Sequence, residues 1–160
     1  MTELMGLPEL RDAQAQTVST AAVYQPGAIF VHRNGSNWGL IQYVQLDNNG
    51  CSQGDSLVTN YATIVSYSVA KASTDDQSSR PFRGVACATV ASQRFGFMYI
   101  GGYVEKADCS YTVASGDFLY ISGSTAGKLT PLPAGPHPIA VARGAFATGV
   151  GSVSLIGVWG

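Results

Sequence analysis

The feature that most limits how this chain can fold is a short string that occurs twice. Gly54-Asp55-Ser56-Leu57-Val58 returns as Gly116-Asp117-Phe118-Leu119-Tyr120, with the two Gly-Asp pairs 62 residues apart. Its surroundings echo as well. Tyr43-Val44 and Cys51-Ser52 precede the first copy, and Tyr103-Val104 and Cys109-Ser110 precede the second. Arg83-Gly84-Val85-Ala86 matches Ile139-Ala140-Val141-Ala142, and the run Phe97–Gly102 matches Leu155–Val158. A strand–turn–strand unit used twice, over about 43–102 and 103–159, accounts for these echoes. In each unit the glycine can take the left-handed turn and the aspartate can cap backbone amides ahead of a strand.

The rest of the chain past residue 26 reads as strands. Ala28–His32 and Trp38–Leu46 flank Asn34-Gly35, a hairpin signal, and Asp47-Asn48-Asn49-Gly50 is a second turn. Ser56–Thr59, Ala62–Ala70, Gly84–Val90, Phe95–Val104, Phe118–Ile121, Ile139–Ala142 and Val153–Trp159 follow. No window shows a 3.6-residue apolar stripe. Short strands at roughly ten-residue spacing predict an all-β fold, a β-barrel or sandwich, over residues 27–160. Charged residues make up only 12% of the chain, about half the usual share, so the surface must be largely Ser, Thr, Asn, Gln and Gly. Surfaces of that kind are often covered by another subunit.

Residues 1–26 differ. Leu4, Leu7 and Leu10 are spaced for one face of a short helix starting near Pro8, and the stretch Gln14–Ala22 then loses all periodicity. The expectation is an extended N-terminal arm, mobile alone and ordered against a partner.

Composition narrows the function classes. Nine basic and ten acidic residues leave a net charge of -1, with only Arg80, Arg83 and Arg94 loosely grouped, so no nucleic-acid partner is expected. Glu3 and the absence of a basic n-region argue against a secretory signal. The uncharged run Gly144–Gly160 is 17 residues long and holds five glycines, so no membrane span is expected. Cys51, Cys87 and Cys109 form no CxxC pair and are read as buried thiols, with a Cys51–Cys109 bridge as the alternative.

Catalytic strings are present but poorly supported. Gly50-Cys51-Ser52-Gln53-Gly54 has the letters of a nucleophile elbow, yet a turn precedes it and a strand-like run follows. Gly54-Asp55-Ser56-Leu57 spells the motif of the GDSL esterases, but its second copy carries Phe118 where the serine would stand. A turn explains both copies and catalysis only one. His32 and His137 are read as exposed turn residues, and Asp75-Asp76 as a solvated loop tip. No spacing of ligands points to a metal, no Gly-rich loop to a nucleotide, and no cofactor is expected. The aromatic residues, Tyr24, Tyr43, Phe95, Phe97 and Tyr99 among them, are read as core or subunit interface, with a sugar-binding shelf as the alternative.

From Gly50 to Trp159 the chain resembles a group of small phage structural proteins that includes capsid decoration, or cement, proteins. The resemblance rests on Ser115-Gly-Asp-Phe-Leu-Tyr120, Gly127-Lys-Leu-Thr130, Pro138-Ile-Ala-Val-Ala142 and Val153–Gly157, with Ala140 where glycine is usual. It implies a β-barrel or β-tulip body on the outer surface of a virion, bound to the major capsid protein, with the N-terminal arm gripping the shell. It also implies a homo-oligomer, by analogy a trimer. Under that reading Leu4, Leu7, Leu10, Tyr24 and Pro26 form the capsid contact. The rival readings are a tail, baseplate or head-fibre component that binds a host glycan, and a small esterase using Ser52 or Ser56.

Overall fold

The computed structural model describes residues 3–4, 6–61, 67–74, 76, 80–133, 137–147 and 149–156. These hold, in order, β1 (Glu3–Leu4), β2 (Leu7–Leu10), the single turn α1 (Asp12–Ala15), β3 (Ile29–Asn34), β4 (Asn37–Leu46), β5 (Ser56–Thr59) and β6 (Ser68–Lys71). Then come β7 (Phe82–Ala86), β8 (Phe95–Cys109), β9 (Phe118–Ile121), β10 (Leu129–Thr130), β11 (Ala140–Ala142) and β12 (Gly149–Leu155). The fold is all-β, and β2 to β12 belong to one mixed sheet. Residues 62–66 of the expected strand Ala62–Ala70, residues 157–159 of the last expected strand, and Asp75 lie outside the described residues.

The sheet closes on itself twice. Strands β4, β6, β5, β7 and β8 pair in that order, and β8 pairs back with β4. Strands β8, β10, β9, β11 and β12 do the same, and β12 pairs back with β8. Five strands in a ring cannot alternate direction all the way round, so one neighbouring pair must be parallel. It is β4–β6 in the first ring and β8–β10 in the second, and every other pair is antiparallel. Ring closure leaves these strands no open edge.

The 15-residue β8 belongs to both rings. Its first half is the last strand of ring one, paired through Phe95–Gly102 with β4, and its second half is the first strand of ring two, paired from Gly102 onward with β12. The boundary expected between Gly102 and Tyr103 therefore falls inside a continuous strand. Each ring fills its own interior. Val44, Leu46, Leu57, Val69, Ala86 and Met98 pack together in ring one. In ring two the equivalent positions are Cys109, Leu119, Leu129, Ala142 and Val153.

Pairing also fixes which residues are equivalent. Gly54 N–H donates to Ala86 O, and Gly116 N–H donates to Ala142 O. Met98 faces both Gln42 and Ala86, and Val153 faces both Val104 and Ala142. Gln42 thus corresponds to Val104, which shifts the Tyr43-Val44 and Tyr103-Val104 echo by two residues. Cys51 bridges Val90 as Val113 bridges Phe146, so Cys51 corresponds to Val113 and not to Cys109. A two-residue slip keeps side chains on the same face, which is why the echo survives in sequence.

Three local expectations are corrected. The hairpin after β3 forms, but Asn34 pairs with Asn37, so its central residues are Gly35 and Ser36. Gly35 has φ 60°, as a type II′ turn requires at its first central position. The helix expected over Leu4, Leu7 and Leu10 is instead the β1–β2 hairpin, and β2 continues into the sheet by pairing parallel with β3. The mobile arm is in fact a docked layer. Leu10 and Ala15 are buried, Ser19 bridges Phe95, and Tyr43 Oη contacts both Ser19 Oγ and the Val23 N–H.

Candidate functional site

Each repeated Gly-Asp turn is built the same way. Gly54 and Gly116 sit at φ 87° and 89°. Asp55 Oδ2 accepts from the Ser52 N–H and Asp117 Oδ2 accepts from the Ala114 N–H, both at 2.8 Å. These carboxylates close turns by holding an amide three residues back. Their surroundings differ completely. Gly54 O accepts from the Asp108 N–H of ring two, and the Ser56 N–H donates to Gly127 O at 2.6 Å, so the first turn is sealed where the rings meet. The second turn faces solvent.

This placement bears directly on the serine strings. Ser56 is fully buried and its Oγ has no hydrogen-bond partner among the described residues, while Ser52 lies exposed with its amide engaged by Asp55. His32 is not an exposed turn residue. It is 3% exposed, its Nε2–H donates to Asp12 Oδ1 at 2.6 Å, and its ring meets Tyr99 edge-on. It holds α1 against β3 and β8. His137 is exposed. Asp76 is likewise not a solvated tip. It is buried, takes two hydrogen bonds from Arg80 and one from the Ser73 N–H. Burial pushes its carboxyl up, but those donors outweigh burial and leave it below the usual range.

The three cysteines are free and buried. Burial pushes Cys51 up to about 11 and Cys109 up to about 12, and it raises Cys87 well above its ordinary value. Such thiols are poor nucleophiles. Among the described residues, no three His, Cys, Asp or Glu side chains converge as metal ligands.

The residues expected to contact a capsid are scattered by the fold. Leu10 is spent in the core, and Tyr24 packs edge-on against Phe30 and Tyr43 at centroid distances of 5.1 and 5.3 Å. Phe97 and Phe95 complete this aromatic group, which lies between the N-terminal layer and ring one. Leu7 and Pro26 are half-buried, and the Leu4 side chain lies outside the described residues.

Two surfaces that sequence reasoning did not isolate stand out. One is a row across the outer face of ring two, Phe118–Val141–Ser154–Tyr103, taken from four neighbouring strands. Its counterpart in ring one is Ser56–Val85–Tyr99–Ile41. All four of those residues are buried, three of them in the cluster that contains Leu10 and Ala15 of the N-terminal layer. Phe118, by contrast, is 56% exposed. Val141, Ser154 and Tyr103 are half-buried, so the ring-two row is partly open where its ring-one counterpart is covered, a difference that the replacement of serine by phenylalanine at the repeated turn does not by itself reveal.

The second surface is the open mouth of ring one, a cavity of about 330 Å³. Val44 and Val69 form its floor, and Tyr61, Tyr67 and Arg83 line its rim. The chain matches no protein-family model and no curated protein.

Proposed function

We propose that this protein is a non-enzymatic structural component of a virus particle, a decoration protein that binds the outer surface of a phage head and stabilises the expanded shell. The observation that carries the reading is the partly open outer face of ring two, where Phe118 is exposed and Val141, Tyr103 and Ser154 are half-buried. An all-β body with no open ring edge presents Phe118 and Val141 on the sheet face that ring one keeps covered. That is a face suited to subunit contact, and the motif resemblance to cement proteins supplies the major capsid protein as its partner. Burial of Ser56 and reuse of the Gly-Asp turn as a structural device support a role without catalysis.

Decoration of this kind works by mass action. A protein that binds the expanded lattice and not its precursor stabilises the expanded form in proportion to occupancy. The contact moves from the apolar strip of the N-terminal segment, whose Leu10 and Tyr24 are already engaged, to the outer face of ring two. Association of several copies, a trimer by analogy, would multiply the hold on neighbouring shell subunits.

The test is co-sedimentation with expanded phage heads, with unexpanded proheads as the control. Saturable binding to expanded heads alone, weakened at least tenfold by Phe118→Ser, is the expected result. Binding to neither form, or binding indifferent to Phe118→Ser, overturns it.

A further inference from the structure

The mouth of ring one carries a combination that the folding of the chain does not explain. Tyr67 holds a left-handed backbone at φ 62° although it is neither glycine nor asparagine. That conformation is disfavoured for any side chain with a Cβ. Deep burial of the ring would offset this, yet Tyr67 is 44% exposed. Its ring nevertheless rests against Gly27, where an added Cβ would stand 2.4 Å from it. A disfavoured backbone thus places a half-exposed aromatic ring at the mouth.

The surroundings of that ring form a bowl with separate apolar and polar parts. Tyr61, 64% exposed, also stands on the rim. The floor is apolar, from Val44 and Val69. Thr59, Asn60 and Ser68 bring hydroxyl and amide groups to one side, with Asn60 Nδ2 donating to Ser68 Oγ at 3.0 Å. Arg83 is the sole cation lining the cavity, and it makes no ion pair among the described residues. The volume of about 330 Å³ falls at the small end of ligand cavities, and barrel mouths are a common place for them.

From this arrangement we infer that the mouth of ring one is a binding site for a carboxylated sugar unit. The apolar face of a pyranose ring stacks on the half-exposed Tyr67 ring, because its C–H groups meet the electron-rich face of the aromatic ring. A guanidinium presents two parallel N–H donors, which match the two oxygens of a carboxylate. Hydroxyl and amide groups on the same rim can exchange hydrogen bonds with the sugar hydroxyls. One cation fits one carboxylate, and the small volume fits a single terminal unit with its chain leaving through the open side. The site is independent of the capsid reading, since it lies on ring one and uses none of the outer face of ring two.

The experiment is a titration of the intact protein with 3′-sialyllactose and with a hyaluronan tetrasaccharide, each followed by ligand-observed NMR, with lactose and chitotetraose as neutral controls. A glycan array of acidic and neutral members extends the panel. Saturable binding of at least one acidic glycan, and of no neutral counterpart with equal affinity, is expected. Arg83→Gln should weaken that binding at least tenfold and Arg83→Lys by less, because lysine keeps the charge and loses the fork. Tyr61→Ala, a change on the exposed rim, should weaken it severalfold while the thermal unfolding midpoint stays put. Absence of any acidic ligand across the array at millimolar concentration overturns the inference. So does acidic binding that survives Arg83→Gln.

Discussion

Gly54 and Gly116 hold the same left-handed backbone 62 residues apart, and of the two only Gly54 has another part of the chain where a Cβ would stand. A Cβ at Gly54 would lie 2.9 Å from the Lys106 carbonyl oxygen, whereas a Cβ at Gly116 would meet nothing within 4 Å. Replacing each in turn separates backbone strain from packing. Gly116→Ala should cost about 1 kcal/mol, the strain alone, and Gly54→Ala roughly 3 kcal/mol, because the strain is joined by a steric conflict at the ring junction. Urea unfolding of the two variants measures the difference. Equal losses would mean that the junction is looser than the structure has it.

The first of these turns responds to pH through Asp55. Burial pushes the Asp55 carboxyl above its ordinary value, with the Ser52 amide and Lys71 pulling it back only in part. A carboxyl raised in the folded state destabilises that state as pH climbs from the ordinary value through the raised one. Asp55→Asn keeps an oxygen for the Ser52 N–H and carries no charge. It should match or exceed the natural protein in stability at pH 7, with the gap closing by pH 3. Asp55→Ala, which loses the cap, should fall about 1 kcal/mol below Asp55→Asn. A gap between Asn and Asp that widens on acidification would contradict this account.

Arg80 and Asp76 make the opposite case. Asp76 lies below the usual carboxylate range, so the stability it contributes is present above the ordinary value and is lost as pH falls through the lowered one. Arg80→Met leaves a buried carboxylate short of two donors and should cost about 2–3 kcal/mol at pH 7, since Arg80 itself is partly in water. The loss should shrink below pH 3. Chemical denaturation at both pH values decides it.

Leu10→Ala tests whether the N-terminal layer is part of the core. Its side chain is 5% exposed, so removal should cost roughly 2–3 kcal/mol. Val23→Ala, in the same segment but 60% exposed, should cost less than about 0.5 kcal/mol. Two small effects would return these residues to the status of a loose arm.

Strands with strong local signals were legible in the sequence. Ser56–Thr59 and Phe118–Ile121 coincide with β5 and β9, because both the turn that starts them and their β-type residues are local. Partners distant in sequence were not legible. Leu4, Leu7 and Leu10 suit a helix as well as a strand, and the choice is made by parallel pairing of Glu9 and Leu10 with Val31 and His32. Burial of His32 depends on Asp12, twenty residues earlier. Asp76 and its partner Arg80 are only four residues apart, but the polar loop between them carries no local sign that the carboxylate is buried. Ring closure was hidden for a topological reason, since the repeat shows two units while the strand they share leaves no gap between them.

That shared strand has a mechanical consequence. The two rings stand like rooms with a party wall, and β8 has no residue that serves only as a connector between them. Bending one ring against the other would shear hydrogen bonds on both sides of the wall at once, so the body has no joint about which it can flex. Unfolding should follow suit, with one ring unable to open while its neighbour stays whole. Continuity of backbone through both halves thus couples them more tightly than any single contact between them could.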